Sequence, residues 1–190
     1  LHRIMSSGYV MENYEKMDFV YKFPVVKGKQ AKKEYYIAMV PLKMLSRLFP
    51  SDDEYVLFPF YKDGKPLDIL SPKWGMTLKK AGSMRFRWNE KNPIRKNMFS
   101  SILSDYSLQS EFVPVELIHS KIVYDVSSVE DTKNKQGDGI ITCNKNLIPV
   151  VTVADCVPIY FYDCKSQVFG VVHSGWKGTG IIEEALKIAV

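Results

Sequence analysis

The clearest alternation of apolar and polar positions lies in the last forty residues. Val151 to Ala154 leads into Asp155 and Cys156. Pro158 then opens the apolar run Ile159-Tyr160-Phe161-Tyr162, a charged turn follows at Asp163 to Lys165, and a second run from Val168 to Val172 delivers His173. After Ser174-Gly175-Trp176-Lys177-Gly178-Thr179-Gly180, the residues Ile181, Ile182, Ala185, Ile188 and Ala189 recur at helical spacing. This pattern predicts strand, turn, strand, Gly-rich loop and helix. Thr179 is the expected N-cap, with Glu183 and Glu184 in the first turn. Cys156 falls just before one strand and His173 at the end of its neighbour. Paired strands lie about 4.8 Å apart, so a tight turn brings the two side chains close.

Upstream the elements are shorter. Phe19 to Val26, Glu34 to Val40 and Tyr55 to Tyr61 read as strands rich in aromatic and β-branched residues, Pro41 to Leu48 as a short helix, and Asp63-Gly64-Lys65 as a turn. Met84-Arg85-Phe86-Arg87-Trp88 alternates, which predicts a strand with both arginines on one face and the aromatics on the other. Ile94 to Tyr106 reads as a helix with Ile94, Met98, Ile102 and Leu103 on one side. Val113 to Ile118 leads into His119, Lys121 to Val126 and Asp138 to Thr142 read as strands, a polar loop runs from Ser127 to Gly137, and Asn144 to Leu147 is a turn.

Composition adds limits. A chain of 190 residues can bury one good core, and 46% hydrophobic with 25% charged residues is ordinary for a globular protein. No apolar run approaches the roughly 20 residues of a membrane span, and no secretory pattern opens the chain. Three cysteines without a disulfide-framework spacing point to a reducing compartment, with cytoplasm the default. The net charge of +5 is uneven: residues 1–73, 74–110 and 111–190 carry +3, +5 and −3. A basic segment of that density points to an anionic ligand, although a solvated basic face fits it too. Two guanidiniums on one strand face can clamp a phosphate bidentately.

Cysteine and histidine are scarce. The histidines are His2, His119 and His173, and the cysteines Cys143, Cys156 and Cys164. With His2 near the terminus, His119 and His173 are the imidazoles available for chemistry. A buried small Cys and a satisfied core His fit the composition equally well. The Gly-Trp-Lys-Gly loop is what a purely structural strand end does not require.

Thr152-Val153-Ala154-Asp155-Cys156-Val157-Pro158-Ile159 and Val172-His173-Ser174-Gly175-Trp176-Lys177-Gly178-Thr179 resemble the paired signature T-A-D-C-x-P and H-A-G-W-[RK]-G of the multicopper polyphenol oxidase, or laccase-domain, family. Its members are also described as purine nucleoside phosphorylases with adenosine deaminase activity. His119 fits the family's earlier Q-V-H-type segment, with Leu117 for the usual Gln and Ser120 for the usual Gly. Gly137 to Thr142 resembles its D-[AG]-[LI]-[VI]-T strand. Thr77 to Ser83 loosely matches T-R-x-G-G-V-S, Asn89 fits a later S-L-N, and Asn97 sits where the family helix carries an Asn-Arg pair.

The resemblance implies an α/β fold of mixed β-sheets with flanking helices, with residues 74–190 as the family core and residues 1–73 as a β-rich N-terminal extension. It also implies phosphorolysis and deamination of purine nucleosides at a mononuclear metal site. His119, Cys156 and His173 would be the metal ligands and, with Asn89, the catalytic residues. Apart from the resemblance, the basic strand offers Arg85 and Arg87, and the Gly178-Thr179-Gly180 helix start offers Lys177, as contacts for an anionic substrate. Asp138 and Asp155 could act as acceptors that fix a histidine tautomer, although a turn or cap role fits either equally well. Two imidazoles and a thiolate suit Zn²⁺ with an open fourth position, and they also suit copper. The partners implied are small molecules, a purine nucleoside and phosphate, with neither nucleic acid nor membrane. The helical pattern stops at Val190 without a closing Gly or Asn, and Leu1 is not an initiator Met, so a C-terminally incomplete family domain is expected.

Three other readings compete. A metal-free Cys–His hydrolase or deamidase would use His173 or His119 to activate Cys156. A nucleic-acid module would use Arg85 to Trp88, but strand alternation separates the arginines from the aromatics. A copper-dependent phenol oxidase of the multicopper kind needs many more histidines than three.

Overall fold

The computed structural model describes residues 20–24, 34–39, 54–62, 65–67 and 72–189. Six strands make its central sheet: β1 (Val20–Pro24), β2 (Glu34–Met39), β8 (Val123–Asp125), β9 (Gly139–Thr142), β11 (Val157–Tyr162) and β12 (Phe169–Ser174). Their order across the sheet is β1-β2-β11-β12-β9-β8. All neighbours run antiparallel except β8 and β9, which are parallel. The charged turn expected after Tyr162 joins β11 to β12. Asp163 caps it by accepting from the backbone of Lys165 and Ser166 and from the Ser166 hydroxyl.

Alternation along β9 divides the core. Ile141 faces a cluster with Ile159, Phe161 and Val172, and helix α2 (Ile181–Ile188) closes that layer with Ile181, Ala185 and Leu186. Ile140 points the opposite way, toward Val113, Val115 and Leu147. These belong to a two-stranded parallel sheet of β7 (Glu111–Pro114) and β10 (Leu147–Val150) and its approaches. Neither strand is marked out by the sequence pattern, and the turn expected to run through Leu147 ends one residue sooner because pairing with β7 draws Leu147 into β10. A third cluster joins Val56, Phe60, Trp74 and Met76 to Tyr162. It is built on the antiparallel pair β3 (Tyr55–Pro59) and β6 (Lys73–Thr77), while β4 (Tyr61–Lys62) pairs with β5 (Lys65–Pro66).

Several expectations need correction. Residues 82–87 form no strand, and Trp88-Asn89 is a turn. The backbone there is satisfied by side chains instead of a ladder. Asn92 donates to the carbonyls of Ser83 and Arg85 at 2.9 Å, Thr152 donates to that of Met84, and Glu116 accepts from the Trp88 N–H. Thr179 is not the cap of α2; its hydroxyl donates back to the Trp176 and Gly175 carbonyls, and Gly180 caps the helix at a left-handed φ of 87°. Ile188 is 42% exposed, with Leu186 buried in its place.

Helix α1 (Pro93–Asp105) starts one residue before its expected position because Pro93 occupies the first turn and Asn92 accepts from the Arg95 N–H. Its buried residue is Met98, while Ile94 is 50% exposed. The Pro41–Leu48 helix and the Asp63-Gly64 turn lie outside the described residues.

Candidate metal centre

The site forms where three segments meet at the end of the β11–β12 pair. In the ladder Val157 pairs with Ser174 and Pro158 with His173, so Cys156 emerges just past the paired residues. His119 arrives from the loop between β7 and β8. One ligand atom from each of His119, Cys156 and His173 lies within 4.8 Å of the others. The two imidazole rings sit edge to face with centroids 4.9 Å apart. A tetrahedral zinc site with bonds of about 2.0–2.3 Å spaces its ligand atoms roughly 3.4–3.8 Å apart, so small side-chain adjustments complete the fit.

The surroundings suit such an ion. His173 is buried, and its Nδ1 lies 2.8 Å from Oδ1 of the fully buried Asp138, which leaves Nε2 for another partner. His119 is more exposed and adopts a left-handed backbone, φ 61°. Gly175 supplies the space between the three: a Cβ there would lie 2.9 Å from His119 Cδ2 and 3.3 Å from both Cys156 Sγ and His173 Cε1. In the sequence Gly175 is only part of a loop motif. Its packing role needs the other two segments to be visible.

Two pKa shifts mark the site. Burial pushes Asp138 up, but hydrogen bonds from His173, Ser120 and the His119 N–H outweigh it and hold the carboxyl down at about 2. Burial pushes the Cys156 thiol up, and the neighbouring Asp155 adds to the effect by charge and by a hydrogen bond. A thiol raised in this way makes a poor metal-free nucleophile at neutral pH.

An open cleft of about 1340 Å³ runs from His119, Cys156 and His173 along the basic segment, and Lys79, Lys80, Arg85 and Arg87 line it. Arg87 donates to the Leu117 carbonyl at 3.3 Å and lies 3.9 Å from Glu116, whereas Arg85 pairs with Glu90 at 2.9 Å near the surface. Asp155 also lines the cleft, beside Cys156, but the histidine acceptor is Asp138. Asn89 and Lys177 are exposed and do not line this cleft. Glu116 and Asn92 organise the basic loop, a role that no sequence pattern signals because their partners lie 28 and 9 residues away. Cys143 and Cys164 form no disulfide.

Residues 88–189, more than half of the chain, match the family model described as multi-copper polyphenol oxidoreductase laccase. The chain belongs to this family. A 63-residue stretch is 41% identical to a purine nucleoside phosphorylase of Borreliella burgdorferi, covering 33% of this chain and 27% of that protein. A 48-residue stretch is 50% identical to purine nucleoside phosphorylase YlmD of Bacillus subtilis, covering 25% of this chain and 17% of that one. The matched stretch thus spans about a quarter or less of these curated relatives. The crystal structure of YlmD from Geobacillus stearothermophilus superposes with a TM-score of 0.49 at 17% identity, covering 88% of this chain and 58% of that one. Among the described residues, no helix is long and apolar enough to cross a membrane.

Proposed function

We propose that this laccase-family chain carries a zinc-dependent purine nucleoside phosphorylase site, and that the same centre deaminates adenosine. The convergence of His119, Cys156 and His173 at the end of a basic cleft supports this reading most directly. Zinc held by these ligands would supply a Lewis acid and lower the pKa of water at its open position; copper suits the same donors.

The chain's own residues have two tasks in phosphorolysis. An oxygen of phosphate attacks C1′ of the ribose, the C1′–N9 bond breaks, and its electron pair leaves with the purine, which takes up a proton. Arg87, held on the Leu117 carbonyl, and Arg85 at the rim would gather the phosphate. Leu117 and Phe86, which also line the cleft, offer apolar surface to a purine ring. The cleft exceeds the roughly 300–1,000 Å³ of ordinary small-ligand sites, enough for nucleoside and phosphate together.

The metal-free Cys–His reading is disfavoured by the raised Cys156 thiol. The deciding experiment combines metal analysis of the purified chain with an inosine and adenosine assay, with and without phosphate. We expect about one zinc per chain and a phosphate-dependent release of base and ribose 1-phosphate that a chelator abolishes and zinc restores. Ammonia release from adenosine, which consumes water and not phosphate, should be abolished by the chelator and restored by zinc whether or not phosphate is present. Activity that survives chelation, or free ribose formed without regard to phosphate, would overturn the reading.

A further inference from the structure

Asp138 sits where the two histidine segments cross. Its side chain is fully buried, and its two oxygens take part in four hydrogen bonds. Oδ1 lies 2.8 Å from His173 Nδ1 and accepts from the His119 N–H at 2.9 Å. Oδ2 accepts from the Ser120 N–H at 2.6 Å and from the Ser120 hydroxyl at 2.7 Å. That hydroxyl in turn accepts from the Ile122 N–H at 3.1 Å, so its own proton is directed at Asp138. The Asp138 carbonyl also accepts from the His173 N–H at 2.7 Å.

These bonds join segments that sequence does not. His119 and His173 lie on different elements, and this carboxylate is what they share. An ionised carboxylate only accepts, so His173 presents Nδ1–H to it and turns the Nε2 lone pair away. The same oxygens grip two successive N–H groups of a bend whose first residue, His119, has φ 61°. A non-glycine residue holds that conformation only where its surroundings enforce it.

We infer that Asp138 is the positioning residue of the centre: its carboxylate sets the tautomer of His173 and, through the His119-Ser120 backbone, the direction of His119, so both imidazoles meet one ion. This rests on the zinc reading above. Removing such an outer partner typically lowers metal affinity by about 10–100-fold.

The test uses the parent, Asp138→Asn and Ser120→Ala. Imidazole nitrogen NMR of the metal-free proteins reads the tautomer, and competition with a chromophoric chelator reads zinc affinity. The parent should show His173 as the Nδ1–H tautomer. Asp138→Asn should lose that preference and bind zinc about 10–100-fold more weakly. Ser120→Ala, which loosens only the His119 side, should keep the tautomer and lose affinity by a smaller, several-fold factor.

An Nε2–H tautomer in the parent overturns the inference, as does an Asp138→Asn protein with parental tautomer and affinity. If Asp138→Asn does not fold, an unchanged zinc affinity in Ser120→Ala overturns it. A parent that binds no zinc sinks the metal reading and this role together. Tight zinc in the parent with parental affinity in Asp138→Asn sinks the positioning role alone.

Discussion

Cys156 and Gly175 face each other one step past the last paired residues of β11 and β12, and a Cβ on Gly175 would stand 3.3 Å from the Cys156 sulfur. The thiol therefore depends on a missing side chain across the ladder. The same absent Cβ would stand 2.9 Å from the His119 ring.

Gly175→Ala should accordingly disturb the centre more than the fold. Its added methyl presses on all three candidate ligands, so zinc affinity should fall at least tenfold while the melting temperature moves by only a few degrees. Chelator competition and thermal unfolding measure the two separately. Parental zinc affinity would show that the ligands do not need this space.

The choice of thiol can be tested by exchange. Cys156→Ser should abolish stoichiometric zinc, and the Cys143→Ala/Cys164→Ala double variant should retain it. Loss of metal in the double variant would mean that the ligand lies elsewhere. Metal analysis after gel filtration decides between them.

Arg87 and Arg85 line the same cleft with different support. A charge-assisted contact is typically worth about 1.5–3 kcal/mol, or roughly ten- to a hundred-fold in affinity. Replacing both by Met should raise the KM for phosphate by that order and leave zinc content intact. Arg87→Met should account for most of the change, because Arg87 is fixed on Leu117 whereas Arg85 is 66% exposed. Unchanged phosphate use by the double variant would remove both arginines from the site.

Acid should weaken the fold through Asp138. Its folded pKa of about 2 lies below the unfolded value of 3.8, so it stabilises fully above about pH 4. That contribution, about 2 kcal/mol for a shift of this size, is lost as pH falls from about 4 through about 2. Urea unfolding of the metal-free protein at stepped pH should show it, and Asp138→Asn should lose less stability over the same range. Identical acid losses in the two proteins would count against the depressed pKa.

Much of this was legible in the sequence because it is local. Apolar and polar spacing placed β11, β12 and the helix after Gly180, and put the start of α1 within one residue of Pro93. The motifs around Cys156 and His173 lie on adjacent strands of one hairpin, so their proximity follows from a short turn and antiparallel pairing. The family and two of the three candidate ligands could be read from those residues, and His119 from its own segment.

What the tertiary structure decided was non-local. Residues 84–88 alternate like a strand, but among the described residues no strand pairs with them, and Asn92, Thr152 and Glu116 hold them as a loop instead. Leu147–Val150 became a strand because β7 pairs with it. The sequence offers Asp138 and Asp155 alike as acceptors; only folding collects donors around Asp138, from segments up to 35 residues away. Gly175 likewise matters through atoms of His119, 56 positions earlier. Periodicity reports which face of an element is apolar, whereas a buried carboxylate or an absent methyl acquires its role from contacts between elements.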